Sequence, residues 1–189
     1  MKILAISGSL RAGSWNGLVL QAARELVDGD VEFELYDGLR DVPPYDEDDD
    51  VEPAPAAVTR FREAIAGADA ILFATPEYNS SVPGQLKNAL DWASRPLATN
   101  VARKKPVAVV GASKGAFGAV WAQAELRKVL SAMGARVVEG EVAFGHAHEK
   151  FDADGRLNDE QLSEQLFEVV DDLVAAARAR AEKLASQAA

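Results

Sequence analysis

The chain has 189 residues, no cysteine, two histidines and a formal charge of −10. The lack of Cys excludes disulfide frameworks, thiol nucleophiles, thiol redox relays and cysteinyl iron–sulfur or zinc sites. With 20 basic against 30 acidic side chains it lacks the concentrated Lys/Arg face that nucleic acid requires.

Lys2–Ser7 is a short apolar run closed by Gly8, too short for a signal-peptide core and suited to a first strand. No run approaches the roughly 18 apolar residues of a membrane span. A soluble cytoplasmic protein of one domain, spanning 1–189, is the expectation. Residues 14–27 carry Leu18, Ala22 and Leu26 at four-residue spacing, one face of a helix. Val31–Tyr36 alternates Val31, Phe33 and Leu35 with Glu32 and Glu34, as a half-exposed strand near a sheet edge does. Residues 40–55 set Asp46, Glu47, Asp48, Asp49, Asp50 and Glu52 among Pro43, Pro44, Pro53 and Pro55. Like charges repel and proline removes ladder donors, which predicts a solvated loop. A calcium loop needs alternating ligands with a Gly at the turn, and this run has none.

A helix follows at 56–66. Ala70–Thr75 is the continuous apolar run AILFAT of a central parallel strand. Pro83–Ser94 reads as a helix with Pro83 in its first turn. Pro106–Val110 is another buried strand. Residues 119–133 place Leu126, Val129, Leu130 and Met133 on one helix face, and Arg136–Phe144 is a fifth strand. Asp159–Leu184 is a long final helix carrying Leu162, Leu166, Val169 and Leu173. Strands each followed by a helix predict an α/β fold, a doubly wound parallel sheet with right-handed crossovers. Ligands bind such sheets beyond the carboxyl ends of the strands. The loops after the first, third and fourth strands are therefore the places for chemistry.

The first loop, Gly8-Ser9-Leu10-Arg11-Ala12-Gly13-Ser14-Trp15-Asn16, joins glycine turns, short hydroxyl side chains and a guanidinium to a helix N-terminus. Those parts make an anion cradle. It is neither a P-loop nor the dinucleotide fingerprint, whose glycine spacing it does not match. A Ser/Gly turn with capping residues is the plainer reading. In the second loop, Pro76-Glu77-Tyr78-Asn79-Ser80-Ser81-Val82-Pro83-Gly84, Tyr78 and Asn79 stand where a planar ligand meets backbone, or else form a proline-bounded turn. The third, Gly111-Ala112-Ser113-Lys114-Gly115-Ala116-Phe117-Gly118, has glycines that imply close backbone approach. It also fits the G-x-S-x-G elbow of hydrolases. The acids that follow it, Glu125, Glu139 and Glu141, precede His146 and His148 in the required order, yet Glu125 falls within the next helix and no oxyanion loop accompanies them. The H-x-H of His146 and His148 has no third ligand beside it and reads as a polar loop rather than a metal site.

Gly8-Ser9-Leu10-Arg11 with Ser14 and Asn16, Pro76-Glu77-Tyr78-Asn79, Ser81-Val82-Pro83-Gly84, Leu86-Lys87-Asn88-Ala89, Asp91-Trp92 and Ser94-Arg95 together resemble the NADPH-dependent FMN reductase family. Its members include bacterial quinone and chromate reductases and azoreductases. The resemblance covers about residues 2–145 and implies a flavodoxin-like three-layer fold with strand order 2-1-3-4-5. It implies that Ser9, Arg11, Ser14 and Asn16, with the backbone near Trp15, hold the FMN phosphate. Pro76, Glu77, Tyr78 and Asn79 would border the isoalloxazine ring, and Ser113 and Gly115 would approach it from the third loop. Where relatives often carry paired glycines, this chain has Gly118-Ala119, followed by Val120-Trp121. The implied reaction takes electrons from NADPH or NADH through FMN to a quinone, azo, nitro or metal-oxyanion acceptor, with ping-pong kinetics and no nucleophilic side chain. A homodimer or homotetramer is implied too, with Lys87, Asn88, Asp91, Trp92 and Arg95 as interface candidates. The competing reading is a flavodoxin-like electron carrier or FMN module without a nicotinamide site. Flavodoxins read T/S-x-T-G-x-T in the first loop, which Gly8-Ser9-Leu10-Arg11 does not.

Overall fold

The computed structural model describes residues 1–188. Its strands are β1 (Lys2–Ser7), β2 (Glu32–Tyr36), β3 (Ala70–Thr75), β4 (Pro106–Ala112) and β5 (Arg136–Phe144). Its helices are α1 (Trp15–Glu25), α2 (Ala56–Gly67), α3 (Gly84–Ala93), α4 (Val120–Ala132) and α5 (Glu160–Ala188). The strands form one parallel sheet in the order β2-β1-β3-β4-β5, as expected.

The strand alternation builds two cores. Ile3, Ala5, Leu72, Ala74, Ala108 and Val110 face α1 and α5. Leu4, Ile6, Ile71, Phe73, Val107 and Val109 face α2, α3 and α4. Every residue of β3 and β4 is buried, which explains why their sequences are apolar without alternation. In the edge strand β2, Phe33 is buried and Glu32 exposed as expected, but Leu35 is 38% exposed, so the alternation is lost toward the end of the strand. β4 runs two residues beyond the expected Val110, because the Gly111 and Ala112 register continues against Ala143 and Phe144.

Strand β5 slips register between Val107 and Val109 of its neighbour. The guanidinium of Arg127, on α4, fills the irregularity. It donates to Val138 O at 2.7 Å, to Val109 O at 3.1 Å and to Gly140 O. Burial pushes its pKa down, yet three carbonyls hold the charge. At the amino end of the sheet, the buried Lys105 closes the carboxyl end of α2 through Ala66 O and Ala68 O. Desolvation, and then the nearby Arg180, lower its pKa to about 8.

The acidic segment departs from a simple solvated loop. It contains short helical turns at Gly38–Asp41 and Glu47–Asp49 and is fastened to α3. Asn88 Nδ2 and Trp92 Nε1 donate to Pro43 O at 2.8 and 2.9 Å, and Tyr45 N donates to Asn88 Oδ1 at 2.7 Å. Gln85 Nε2 donates to Leu39 O and Val42 O at 2.8 and 2.9 Å. Arg62 pairs with Asp50 at 2.9 Å. The proline-rich backbone has no ladder, so helix side chains satisfy its carbonyls. The other acids, from Asp46 to Asp49 and at Glu52, are exposed. Trp92, an interface candidate, is fully buried in the core, and Asn88 is occupied by the loop. Lys87 and Asp91 pair along the outer side of α3 at 2.7 Å.

Candidate functional site

The carboxyl ends of β1, β3 and β4 align through the pairs Ser7↔Ala74 and Thr75↔Gly111, so their loops open on one side. A cleft of about 340 Å³ lies between them. Ser9, Arg11, Ser14, Trp15, Asn16, Pro76, Glu77, Tyr78 and Ser113 line it, together with Ala112 and Lys114. Asn79 and Gly115 stand outside this lining.

In the first loop, Ser9 makes a local turn. Its amide donates to Ser7 Oγ at 3.3 Å, and its Oγ accepts from Arg11 N at 3.4 Å. Ser14 is the N-cap of α1, in extended backbone, but its side chain caps nothing. The first helical bond runs from Leu18 N to Ser14 O at 3.1 Å. The amides of Trp15, Asn16 and Gly17 find no acceptor among the described residues. These donors and the positive end of the helix dipole favour an anion. The Arg11 guanidinium lies over Gly13, where an added Cβ would stand 3.1 Å from Nη1. Arg11 has no acidic partner among the described residues. Trp15 packs on Phe151 with centroids 5.9 Å apart, and its buried Nε1 has no hydrogen-bond partner.

Asn16 is 2% exposed and bridges two loops. Its Nδ2 donates to Ala112 O, and its Oδ1 accepts from Ala112 N, each at 3.0 Å. The carboxamide thereby ties the start of α1 to the end of β4.

The second loop is closed where the first is open. Tyr78 and Ser81 exchange backbone bonds at 3.1 Å around Asn79 and Ser80, whose φ values are 53° and 60°. Positive φ at both central positions is the pattern of a type I′ hairpin, and Asn tolerates it. Tyr78 is 54% exposed at the cleft mouth. Glu77 Oε2 accepts from the amides of Trp121 and Ala122 at 3.0 and 3.1 Å, so it caps α4 from another loop. Ser81 Oγ donates to Glu125 Oε2 on the same helix. That hydroxyl first, then the Val82 amide, Lys128 and Lys87, hold the Glu125 carboxyl below the usual range.

In the third loop, the close approach that glycine implied is to β5. A Cβ on Gly118, at φ 57°, would stand 2.4 Å from Ala143 C. Ser113 Oγ donates to Gly115 O at 3.3 Å. The loop after β5 braces this turn from behind, with His146 N on Gly115 O and Ala147 N on Ser113 O, both at 3.0 Å. The elbow acid Glu125 is engaged with Ser81 and makes no hydrogen bond to a histidine among the described residues. The His148 ring lies beside Glu149 at 3.4 Å. Phe117 and Trp121 form an exposed edge-on pair with centroids 5.1 Å apart.

A family model described as NADPH-dependent FMN reductase matches residues 1–149. The chain belongs to that family. It is 48% identical over 165 residues to an NAD(P)H-dependent FMN reductase of Pseudomonas aeruginosa, covering 87% of this chain and 88% of the relative. It is 38% identical to a 2-hydroxy-1,4-benzoquinone reductase of a Burkholderia species, covering 95% and 98%. Among solved structures, the flavoenzyme NAD(P)H:(acceptor) oxidoreductase FerB of Paracoccus denitrificans superposes with a TM-score of 0.84 at 36% identity, covering 94% and 97%. The chain is an oxidoreductase of a flavin-dependent NAD(P)H quinone reductase family, which favours a reductase over an electron carrier. No helix among the described residues is long and apolar enough to cross a membrane.

Two cleft residues escaped the sequence reading. Ala112 stood inside the third loop, but a methyl side chain carries no chemical signal of its own. Lys114 is a lone cation whose spacing to any other group carries no signal, although it stood inside the Gly-rich loop.

Proposed function

We propose that the cleft binds FMN and that the protein passes electrons from NADPH or NADH through it to a quinone or a similar azo, nitro or metal-oxyanion acceptor. The carrying observation is the open N-terminus of α1. Free amides at Trp15, Asn16 and Gly17, the uncapping hydroxyl of Ser14 and an acid-free Arg11 gather beside the cleft of about 340 Å³. A phosphate there receives charge-assisted hydrogen bonds from Arg11 and the helix amides, with Ser9 at the rim. The buried Trp15 N–H supports the fit, since an orphaned buried donor is costly and an acceptor on a bound nucleotide relieves it.

Pro76, Tyr78 and the backbone of Glu77 would border the ring on one side and Ser113 on the other, with Asn79 and Gly115 behind them in the same loops and the Glu77 carboxylate turned to α4. Bound FMN supplies hydride acceptance from the nicotinamide and delivery of electrons to the acceptor. The side chains bind and orient, and none acts as a nucleophile. Tyr78 at the mouth leaves one approach, which nicotinamide and acceptor use in turn, giving ping-pong kinetics. The protein works as a homodimer or homotetramer, with the outer side of α3 around Lys87, Asp91 and Arg95 as the contact.

The test is direct. Purified protein reconstituted with FMN should be yellow, oxidise NAD(P)H in the presence of a quinone, and give parallel double-reciprocal lines. Protein that stays colourless in added FMN sinks the proposal, and intersecting lines remove the ping-pong order.

A further inference from the structure

We propose that Glu77 is a positioning residue, which holds the second loop in register with the third by binding α4 rather than by touching flavin. The inference rests on the FMN reading above. Helix α4 has no cap of its own. The residue before it, Ala119, offers no side-chain acceptor and stands at φ 64°, outside the extended backbone of an ordinary N-cap. The acceptor comes instead from a residue 44 positions earlier. One oxygen, Oε2, takes both first-turn amides, at 3.0 and 3.1 Å. A carboxylate is well placed there, because it meets the positive end of the helix dipole.

A second tie lies one turn along the same helix, where Ser81 bonds Glu125. Between the two ties runs the tight hairpin of Asn79 and Ser80, which has little freedom of its own. Tyr78, at the cleft mouth, is therefore fixed by what α4 does. The third loop ends in that helix through Gly118 and Ala119, so Glu77 sets the spacing of the two walls between which a flat ring must fit. Placement within about 0.5 Å is what such a site requires of its supports.

Glu77→Gln keeps an acceptor oxygen and loses the charge; Glu77→Ala loses both. The readouts are amide hydrogen exchange of the apoproteins and the Kd for FMN, from quenching of its fluorescence. In Glu77→Ala, protection at Trp121 and Ala122 should vanish in the apoprotein and FMN affinity should fall about tenfold or more. Glu77→Gln should keep the protection and bind FMN within about threefold of wild type.

Lost protection with unchanged FMN affinity in Glu77→Ala would overturn the proposal, leaving only a helix cap. So would equal loss of affinity in both variants while Glu77→Gln keeps its amides protected, which marks direct contact of the charge with ligand. If Glu77→Ala fails to fold, Glu77→Gln alone decides, since weakened FMN binding with protected amides contradicts positioning. Failure of the wild-type apoprotein to take up FMN removes the functional reading, and the proposal with it. That outcome is seen before any variant is made.

Discussion

The two helices that follow the first and third loops of the cleft begin in opposite ways. The N-terminus of α1 keeps the amides of Trp15, Asn16 and Gly17 free and has a cation, Arg11, laid across the turn before it. That of α4 is filled by the protein's own carboxylate, Glu77. The dipole argument alone would make either end an anion site. The difference teaches that a helix end becomes a binding site only where the fold leaves its donors unanswered. It also explains how a chain of charge −10 can receive a phosphate. The cradle is local, and fields beyond about 10 Å are screened by salt.

The largest effect in this comparison is expected from Asn16→Ala. It strips the buried amide and carbonyl of Ala112 of their partner. Stability in urea should fall by about 2–4 kcal/mol, the scale for orphaned buried groups. A loss near zero would mean that the first and third loops are held together by other means. Next comes Arg11→Ala, an exposed side chain. FMN binding should weaken by about 1.5–3 kcal/mol, while urea stability stays unchanged. Fluorescence titration checks the first and denaturation the second; unaltered affinity would take Arg11 out of the cradle.

Lys105, at the opposite end of the sheet, is a buried charge at a helix carboxyl end. Its folded pKa of about 8 lies below the ordinary 10.5. Between those values the unfolded chain holds a proton that the folded chain has released, so this group makes stability rise with pH across the window, by at most about 1.4 kcal/mol per pH unit. Urea midpoints at pH 8 and 10 should show the rise in wild type and lose it in Lys105→Met. The smallest effect belongs to Glu125. Its pKa is depressed, so its contribution is present above the ordinary carboxylate pKa and is lost as pH falls through the lowered one. Glu125→Gln should flatten the acid limb of the stability profile; an unchanged limb would discount the tie to Ser81.

The parallel sheet was legible because AILFAT and Pro106–Val110 are apolar throughout, whereas its strand order followed from the family resemblance. Of the residues that line the cleft, Ser9, Arg11, Ser14, Asn16 and Tyr78 were readable from unusual loops at strand ends, and the resemblance added Trp15, Pro76, Glu77 and Ser113. What could not be read were the partners. Nothing in Pro76-Glu77-Tyr78-Asn79 tells that the carboxylate reaches amides of a helix that begins at Val120. Nothing near Pro43 tells that Asn88 and Trp92 hold its carbonyl. Such contacts are set by tertiary packing between distant segments. They also change the meaning of the family-like block: Trp92 is buried in the core, and the half-buried Asn88 spends its carboxamide on the acidic segment.

The account stands on where the phosphate goes, and amide chemical shifts can follow that during titration of the apoprotein with FMN. The amides of Trp15, Asn16 and Gly17 should move most, and riboflavin, which lacks the phosphate, should leave them nearly still. Trp121 and Ala122, already bonded to Glu77, should shift little in either titration. Large shifts at Trp121 and Ala122 with unmoved α1 amides would contradict the assignment of the open helix end as the anion site.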